Sequence, residues 1–386
     1  MTTILSDAEL LARLIAFDST SANSNLPVAD FIYDYLEGES SEILRSPYPE
    51  DGKTNLVIRI KPAKEPPNDH AGLILSGHMD VVPAKEPEWT TDPFQLAESD
   101  DAFLGRGACD MKGFIALAVN QARRAMDRHL AAPLVLILTC DEELGTRGAQ
   151  HLANAWTAPI PLPKNAIIGE PTSLEVVRMH KGQLSMRLVF KGKTAHTGYP
   201  DLGINAIDPA AKAIIALNQL GRQLREEPSP YGEHFPETPF VALSVTVIQG
   251  GTATNIVPDR CEVSFGIRTM PGMSDEPFIQ RVRETLAAAN DLGDHELEIV
   301  GYSPPLLTEE DAPINRYLCS LVGQSRTVGK SYASDAGPLS QLGLDCVLFG
   351  PGNIEVAHKP NEFLPKSEFV RAGELLDEIV QEFCEQ

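Results

Sequence analysis

Apolar residues in this chain recur in two ways. Leu56–Ile60, Leu73–Ser76, Leu134–Thr139 and Ala166–Gly169 are short, unbroken apolar runs. That is the pattern of strands buried on both faces. Between them, Lys112–Met126 carries apolar positions at helical spacing, and Thr146–Trp156 predicts a shorter helix. Strands alternating with helices predict an α/β sheet covered on both sides.

The pattern changes after His180-Lys181-Gly182. Leu184–Phe190 alternates like a half-exposed strand, and Asn205–Glu226 is a long amphipathic helix ending before Pro228. Val241–Ile248 and Glu262–Arg268 predict two strands, Ser274–Asn290 a helix with Ser274 as its N-cap, and Glu296–Val300 a last strand. The order β-α-β-β-α-β is that of a ferredoxin-like unit. The expected organisation is a first part at 1–181, an inserted domain at 182–303 and a return to the first at 304–386. A strand at Cys346–Phe349, a loop at Gly350-Pro351-Gly352 and a closing helix over Lys366–Cys384 fit that return. The length of 386 residues agrees, since it exceeds what one core usually supports.

Composition narrows the function. A formal charge of −22 argues against nucleic acid and against an anionic membrane surface. No apolar run is long enough to span a bilayer. Cys109, Cys140, Cys261, Cys319, Cys346 and Cys384 are scattered without a CxxC pair, which fits a reducing compartment, the cytoplasm. The N-terminus, Met1 to Glu9, has acids early and no basic stretch, so no signal peptide is expected.

Candidate chemistry lies at the ends of the apolar runs. His78 and Asp80 follow the Leu73–Ser76 strand, and residues i and i+2 of an extended chain point the same way. Asp80 is therefore expected to orient the His78 ring. Asp110 lies between a glycine-rich loop and a helix, where it could equally be an N-cap. Asp141-Glu142-Glu143 follows the Leu134–Thr139 strand, and adjacent acids repel unless exposed or neutralised by cations. Glu170 ends another strand, and His358 follows the Gly350-Pro351-Gly352 loop. Each alone reads as a surface or capping group. Together they supply two imidazoles and several carboxylates at the ends of neighbouring strands, where α/β sheets place their sites. That inventory suits a pair of divalent ions with a carboxylate left over as general base.

The strings SGHMDVVP, GRGACDMKGF, DEELGTRGA, GEPTSL and GPGNIEVAHKPNEF, in this order, resemble the M20 metallopeptidases across nearly the whole chain. The resemblance implies an α/β fold with a mixed-sheet zinc-peptidase catalytic domain and an inserted ferredoxin-like dimerisation domain. It implies that His78, Asp110 and Glu170 hold one metal, that Asp110, Glu143 and His358 hold the other, and that Glu142 is the base. Two divalent ions are implied, Zn²⁺ first, with Co²⁺ or Mn²⁺ also suited to nitrogen and oxygen ligands. In a homodimer, His196 would serve the other subunit's site. Asn255 and Arg268 match substrate-contacting positions, Arg268 as a partner for a carboxylate. The strings IIGEPTSLEVVRMHKG, GINAID and GPGNIEVAHKPNEFLP resemble the branch that deacetylates N-acetylornithine. Asp335 is then a candidate acceptor for the substrate's free ammonium, although that branch tends to carry Thr-Glu where this chain has Ser334-Asp335; a helix N-cap is the other reading. The competing readings are a desuccinylase, an acetylcitrulline deacetylase, an aminoacylase or a dipeptidase of the same family, an inactive binding protein on this fold, and a structural dimer module.

Overall fold

The computed structural model describes residues 4–49, 52–68, 70–157 and 159–386. The first three residues of the segment read for a signal peptide lie outside them. The chain divides into two compact units: Met1–Arg178, Thr308–Val328 and Ser334–Gln386 form one, and Met179–Leu307 with Gly329–Ala333 the other. No helix among the described residues is long and apolar enough to cross a membrane.

In chain order the first unit opens with helices α1 (Asp7–Ile15) and α2 (Leu26–Leu36) and strands β1 (Ser41–Pro47), β2 (Thr54–Ile60) and β3 (Leu73–His78). Helix α3 (Gly113–Ala125), strand β4 (Leu134–Thr139), helix α4 (Arg147–Ala155) and strand β5 (Asn165–Ile168) follow. The second unit runs β6 (Gln183–Lys191), α5 (Ile207–Glu226), β7 (Ala242–Gly250), β8 (Arg260–Arg268), α6 (Glu276–Ala288) and β9 (His295–Ser303). The chain then returns with α7 (Pro313–Val322), α8 (Ala336–Ser340), β10 (Asp345–Leu348) and α9 (Lys366–Val380).

In the first unit the strand order is β1-β2-β4-β3-β5-β10. Strand β3 is parallel to both β4 and β5, and β10 is parallel to β5. Strands β1 and β2 pair antiparallel, as do β2 and β4, so the sheet is mixed. Every residue of β2, β3 and β4 is buried, as expected of a sheet covered on both faces. Alternate residues such as Leu73, Leu75, Leu134 and Leu136 join a core with Phe114, Ile115 and Leu117 of α3. Parallel strands need a crossover, and α3 supplies the one from β3 to β4. The register aligns Leu73 with both Leu134 and Asn165, and Asn165 with Asp345. The C-terminal ends of β4, β3, β5 and β10 therefore lie side by side along one edge. This arrangement positions the site.

The second unit is an antiparallel sheet in the order β7-β8-β6-β9. Leu184, Met186, Leu188 and Phe190 of β6 point under the helices, against Ala213, Leu217 and Leu220 of α5 and Val282 and Leu286 of α6. Ser185 and Arg187 between them are less buried, Val189 is not, and Arg187 pairs with Glu298 at 2.8 Å.

Two local expectations change. Helix α6 starts at Glu276, not Ser274, with Asp275 at the N-cap position and no side-chain cap bond. Pro277 in its first turn removes one of the N–H groups a cap would satisfy. The closing helix is α-helical only to Val380, and Gln381–Glu385 widens into a π-type turn. Helices α1, α2 and α7 and strand β1 lie outside the apolar runs singled out from the sequence. Helix α1 is started by a reciprocal cap between Ser6 and Glu9.

Candidate metal centre

His78 is the last residue of β3 and is 1% exposed. Its Nδ1 lies 2.9 Å from the backbone oxygen of Asp80, and its Nε2 lies 3.0 Å from Asp110 Oδ1. With Nδ1–H donating to the carbonyl, Nε2 and a carboxylate oxygen face each other. Two lone pairs at that distance must share a proton or a cation. Burial pulls the imidazole pKa down, but the hydrogen bond and charge of Asp110, with the charges of Glu142 and Asp80, hold it well above the ordinary value.

The ring of His78 is thus oriented by the Asp80 carbonyl and not, as the i/i+2 argument suggested, by its carboxylate. That group lies 3.8 Å from Nδ1 at its nearest oxygen. It instead accepts the backbone N–H of Glu142 at 3.1 Å and of Glu143 at 3.3 Å, together with the Ser21 hydroxyl at 2.7 Å. The reason is geometric: strand β3 ends at His78, so the strict alternation of an extended chain no longer applies at Asp80. Asp80 consequently holds the turn that presents both glutamates.

Asp110 sits in the turn between β3 and α3, buried at 5% exposure. Gly107, just before it, has φ +82°, and a Cβ there would come within 2.8 Å of Val81 Cγ1. Glu143 Oε1 is 3.0 Å from His358 Nε2, which is also 3.3 Å from Asp110 Oδ2. The hydrogen bonds to Asp110 and Glu143 raise the His358 imidazole to about 10. Burial would raise the Asp110 carboxyl, but His358 and His78 hold it far below the usual range. Ligand atoms of His78, Asp110 and Glu143 all lie within 4.8 Å of one another, a spacing at which an ion could be held between them.

Glu142 and Glu170 are pushed well above the carboxylate range, first by burial, and Glu143 is raised for the same reason. Oε1 of Glu170 is buried without a hydrogen-bond partner. The buried acids at this sheet edge, with an unpartnered carboxylate oxygen among them, outnumber the imidazoles that face them. The donor set therefore suits divalent cations better than protons.

Asp335 occupies the N-cap position of α8 but makes no cap bond. Its Oδ2 accepts the Thr139 hydroxyl at 2.5 Å, and its Oδ1 is buried and unpartnered. Burial raises its carboxyl to about 7. His196, Asn255 and Arg268 belong to the second unit. His196 is exposed and pairs with Ile256 in a two-stranded ribbon, and Thr197 N–H donates to Asn255 O at 3.1 Å. Arg268 ends β8, and its Nη1 is buried without a partner.

Several supporting residues were not singled out from the sequence. Lys53 Nζ reaches Asp141 Oδ1 at 2.6 Å inside the protein, and Glu362 accepts bonds from the turn carrying Asp110. The neighbouring letters of the DEE and PNEF strings were the available signal.

A mixed α/β sheet with histidines and carboxylates gathered where its parallel strands end defines a metallohydrolase architecture. Residues 74–382 match the Peptidase family M20/M25/M40, and the chain belongs to that family. Acetylornithine deacetylase of Myxococcus xanthus is 34% identical over 378 residues, covering 97% of this chain and 96% of the relative. Acetylornithine deacetylase of Proteus mirabilis is 33% identical over 387 residues, with 97% and 96% covered. Among solved structures, the M20 family metallo-carboxypeptidase Sso-CP2 from Sulfolobus solfataricus superposes with a TM-score of 0.79 at 18% identity, covering 98% of this chain and 99% of that one. A dinuclear metal binding peptidase of the M20 family from Bacillus subtilis gives 0.63 at 18% identity over 98% and 99%. At those identities the structural likeness speaks for the fold. The chain is an enzyme, a hydrolase of the M20 family.

Proposed function

We propose that the protein removes the acetyl group from N2-acetyl-L-ornithine, giving ornithine and acetate, as a step of arginine biosynthesis in the cytoplasm. The observation that carries the substrate is the near full-length similarity to acetylornithine deacetylases at 33–34% identity. The six free cysteines fit the compartment.

In this reading His78, Asp110 and Glu170 hold one divalent ion, and Asp110, Glu143 and His358 the other, with Asp110 shared. Zn²⁺ is the expected metal, and Co²⁺ or Mn²⁺ suits the same ligands. Bound there, the ions would polarise the scissile carbonyl and make water a nucleophile near neutral pH. Glu142, with its carboxyl raised by burial, takes a proton from the attacking water and delivers it to the leaving amine. Asp80 fixes the backbone of Glu142 and Glu143 and, through its carbonyl, the His78 ring. Arg268 receives the substrate carboxylate, Asn255 adds a polar contact, and His196 donates to the oxyanion. Asp335 is kept as the acceptor for the side-chain ammonium.

The working form is a homodimer in which His196 completes the partner's site. Strand β7 supports this as a sheet edge with exposed Val247 and Ile248, and α5 presents exposed Ile215. An open edge with apolar side chains is a natural surface for a second copy.

The test is hydrolysis of N-acetylornithine by Zn²⁺- or Co²⁺-loaded protein, beside a chelated sample and Glu142→Ala. Metal-dependent ornithine release, lost in the variant, supports both substrate and mechanism. No release by protein that holds metal rejects this substrate and directs attention to N-succinyl-diaminopimelate, N-acetylcitrulline, other N-acyl amino acids and dipeptides.

A further inference from the structure

We infer that Glu362 is a positioning residue: its carboxylate shapes the turn that presents Asp110 and locks that turn to the loop carrying His358. The inference rests on the reading of Asp110 and His358 as metal ligands.

Glu362 is 1% exposed, and both of its oxygens are fully engaged. Oε1 accepts the backbone N–H of Cys109 and of Asp110, each at 2.9 Å. Oε2 accepts Gly107 N–H at 3.1 Å and Arg106 Nη1 at 2.7 Å. The backbone oxygen of Glu362 adds a bond from Gly105 N–H at 3.0 Å. Three N–H groups of one short turn thus converge on a single carboxylate, an anion nest filled by the protein's own side chain. Gly107 lets the turn close, since its φ of +82° and its contact with Val81 leave no room for a side chain.

Arg106 anchors the carboxylate in turn. It is 1% exposed, donates to Pro83 O at 3.2 Å through Nη2 and lies 5.2 Å from the Trp89 ring centroid. The pair is neutral, so Glu362 adds no net charge to a region already crowded with carboxylates. Its place in the chain gives it leverage. Glu362 and His358 share one loop, so this loop grips the Asp110 turn by backbone and side chain at once: Glu362 holds the amides while His358 Nε2 lies 3.3 Å from the Asp110 carboxylate. A merely structural ion pair would have no reason to converge on the amides of a ligand's own turn.

Glu362→Gln keeps the shape but turns one acceptor oxygen into a donor, set against Arg106 and the turn N–H groups. Full-length wild type and Glu362→Gln are titrated with Co²⁺ while the d–d absorption and binding heat are followed, with circular dichroism as the fold control. The wild type is expected to bind two ions. The folded variant is expected to bind Co²⁺ 10–100-fold more weakly, the loss typical of groups that orient ligands, with a changed d–d spectrum. Wild-type affinity and spectrum in the variant would overturn the inference alone. A wild type that takes up no Co²⁺ would overturn the metal reading, and the inference with it. If Glu362→Gln does not fold, Arg106→Lys carries the test: it keeps the charge, loses the forked anchor, and is expected to weaken Co²⁺ in the same direction. An unchanged affinity and spectrum there would overturn the inference.

Discussion

The candidate residues of the first unit and those of the second differ in how much of their surroundings they already possess. His78, Asp110, Glu143 and His358 touch one another, and the turns that carry them are tied down by Asp80 and Glu362. His196 and Asn255 sit exposed on a small ribbon, and their bonds there are local. The first group is preorganised, with imidazoles and carboxylates already facing one another. The second is held by bonds within its own ribbon and has an exposed face. Under the proposed function the contrast separates metal binding from completion of the reaction, and variants can pull the two apart.

The largest effect is expected at Glu142. Glu142→Gln should lower kcat by about 10²–10⁴-fold, the range for a general base, with both metal ions retained. Steady-state kinetics beside metal analysis checks this, and loss of metal in the variant would place Glu142 among the ligands instead. His196→Ala should lower kcat by about 10²-fold, the scale of a lost oxyanion donor, without changing metal content. Mixing it with Glu142→Gln chains should recover part of the activity, because some dimers then contain one intact site. No recovery in verified mixed dimers would count against a shared site.

A smaller effect sharpens the contrast from the side of stability. Returning metal at a hundredfold excess over its Kd should stabilise the protein by about 2.7 kcal/mol for each ion bound, seen as a higher Tm than in the chelated sample. Variants at His196 or Asn255 should leave that gain unchanged.

A further stability effect lies in the second unit. Asp275 is buried with Oδ1 unpartnered, and burial raises its carboxyl to about 7. The folded state therefore keeps this proton at pH values where the unfolded chain has lost it. The Asp275 contribution falls as pH rises from about 4 to 7 and then levels off. Asp275→Asn should gain on the wild type across that window, and urea unfolding at pH 4.5 and 8 reads the difference. An equal difference at both values would show that the group does not titrate as its burial implies.

Much of this is legible in the chain because it is local. The run Leu134–Thr139 is β4 to the residue, and Leu184–Phe190 lies within β6, its burial alternating as far as Leu188 and then continuous through Val189 and Phe190. His78, Asp141 to Glu143 and Glu170 follow apolar runs, so their position at strand ends can be read directly. Asp335 shows where local reading stops. Its neighbourhood suggests a cap, but its carboxylate bonds to Thr139, 196 residues away in sequence. Asp80 shows it at short range, where the backbone beyond β3 makes the carbonyl, not the carboxylate, the partner of His78.

By itself, the sequence determined which segments are buried strands and helices, and which residues near their ends can bind cations. Those properties depend on spacing and residue type over a few positions. Only the tertiary structure decided that β4, β3, β5 and β10 lie side by side, and so which carboxylates crowd one another. It also decided that Lys53 pairs with Asp141 and Glu362 with the Asp110 turn. Such partners meet through sheet order and loop closure, and hydrogen bonds and charges act through space, so no local pattern in the chain announces them.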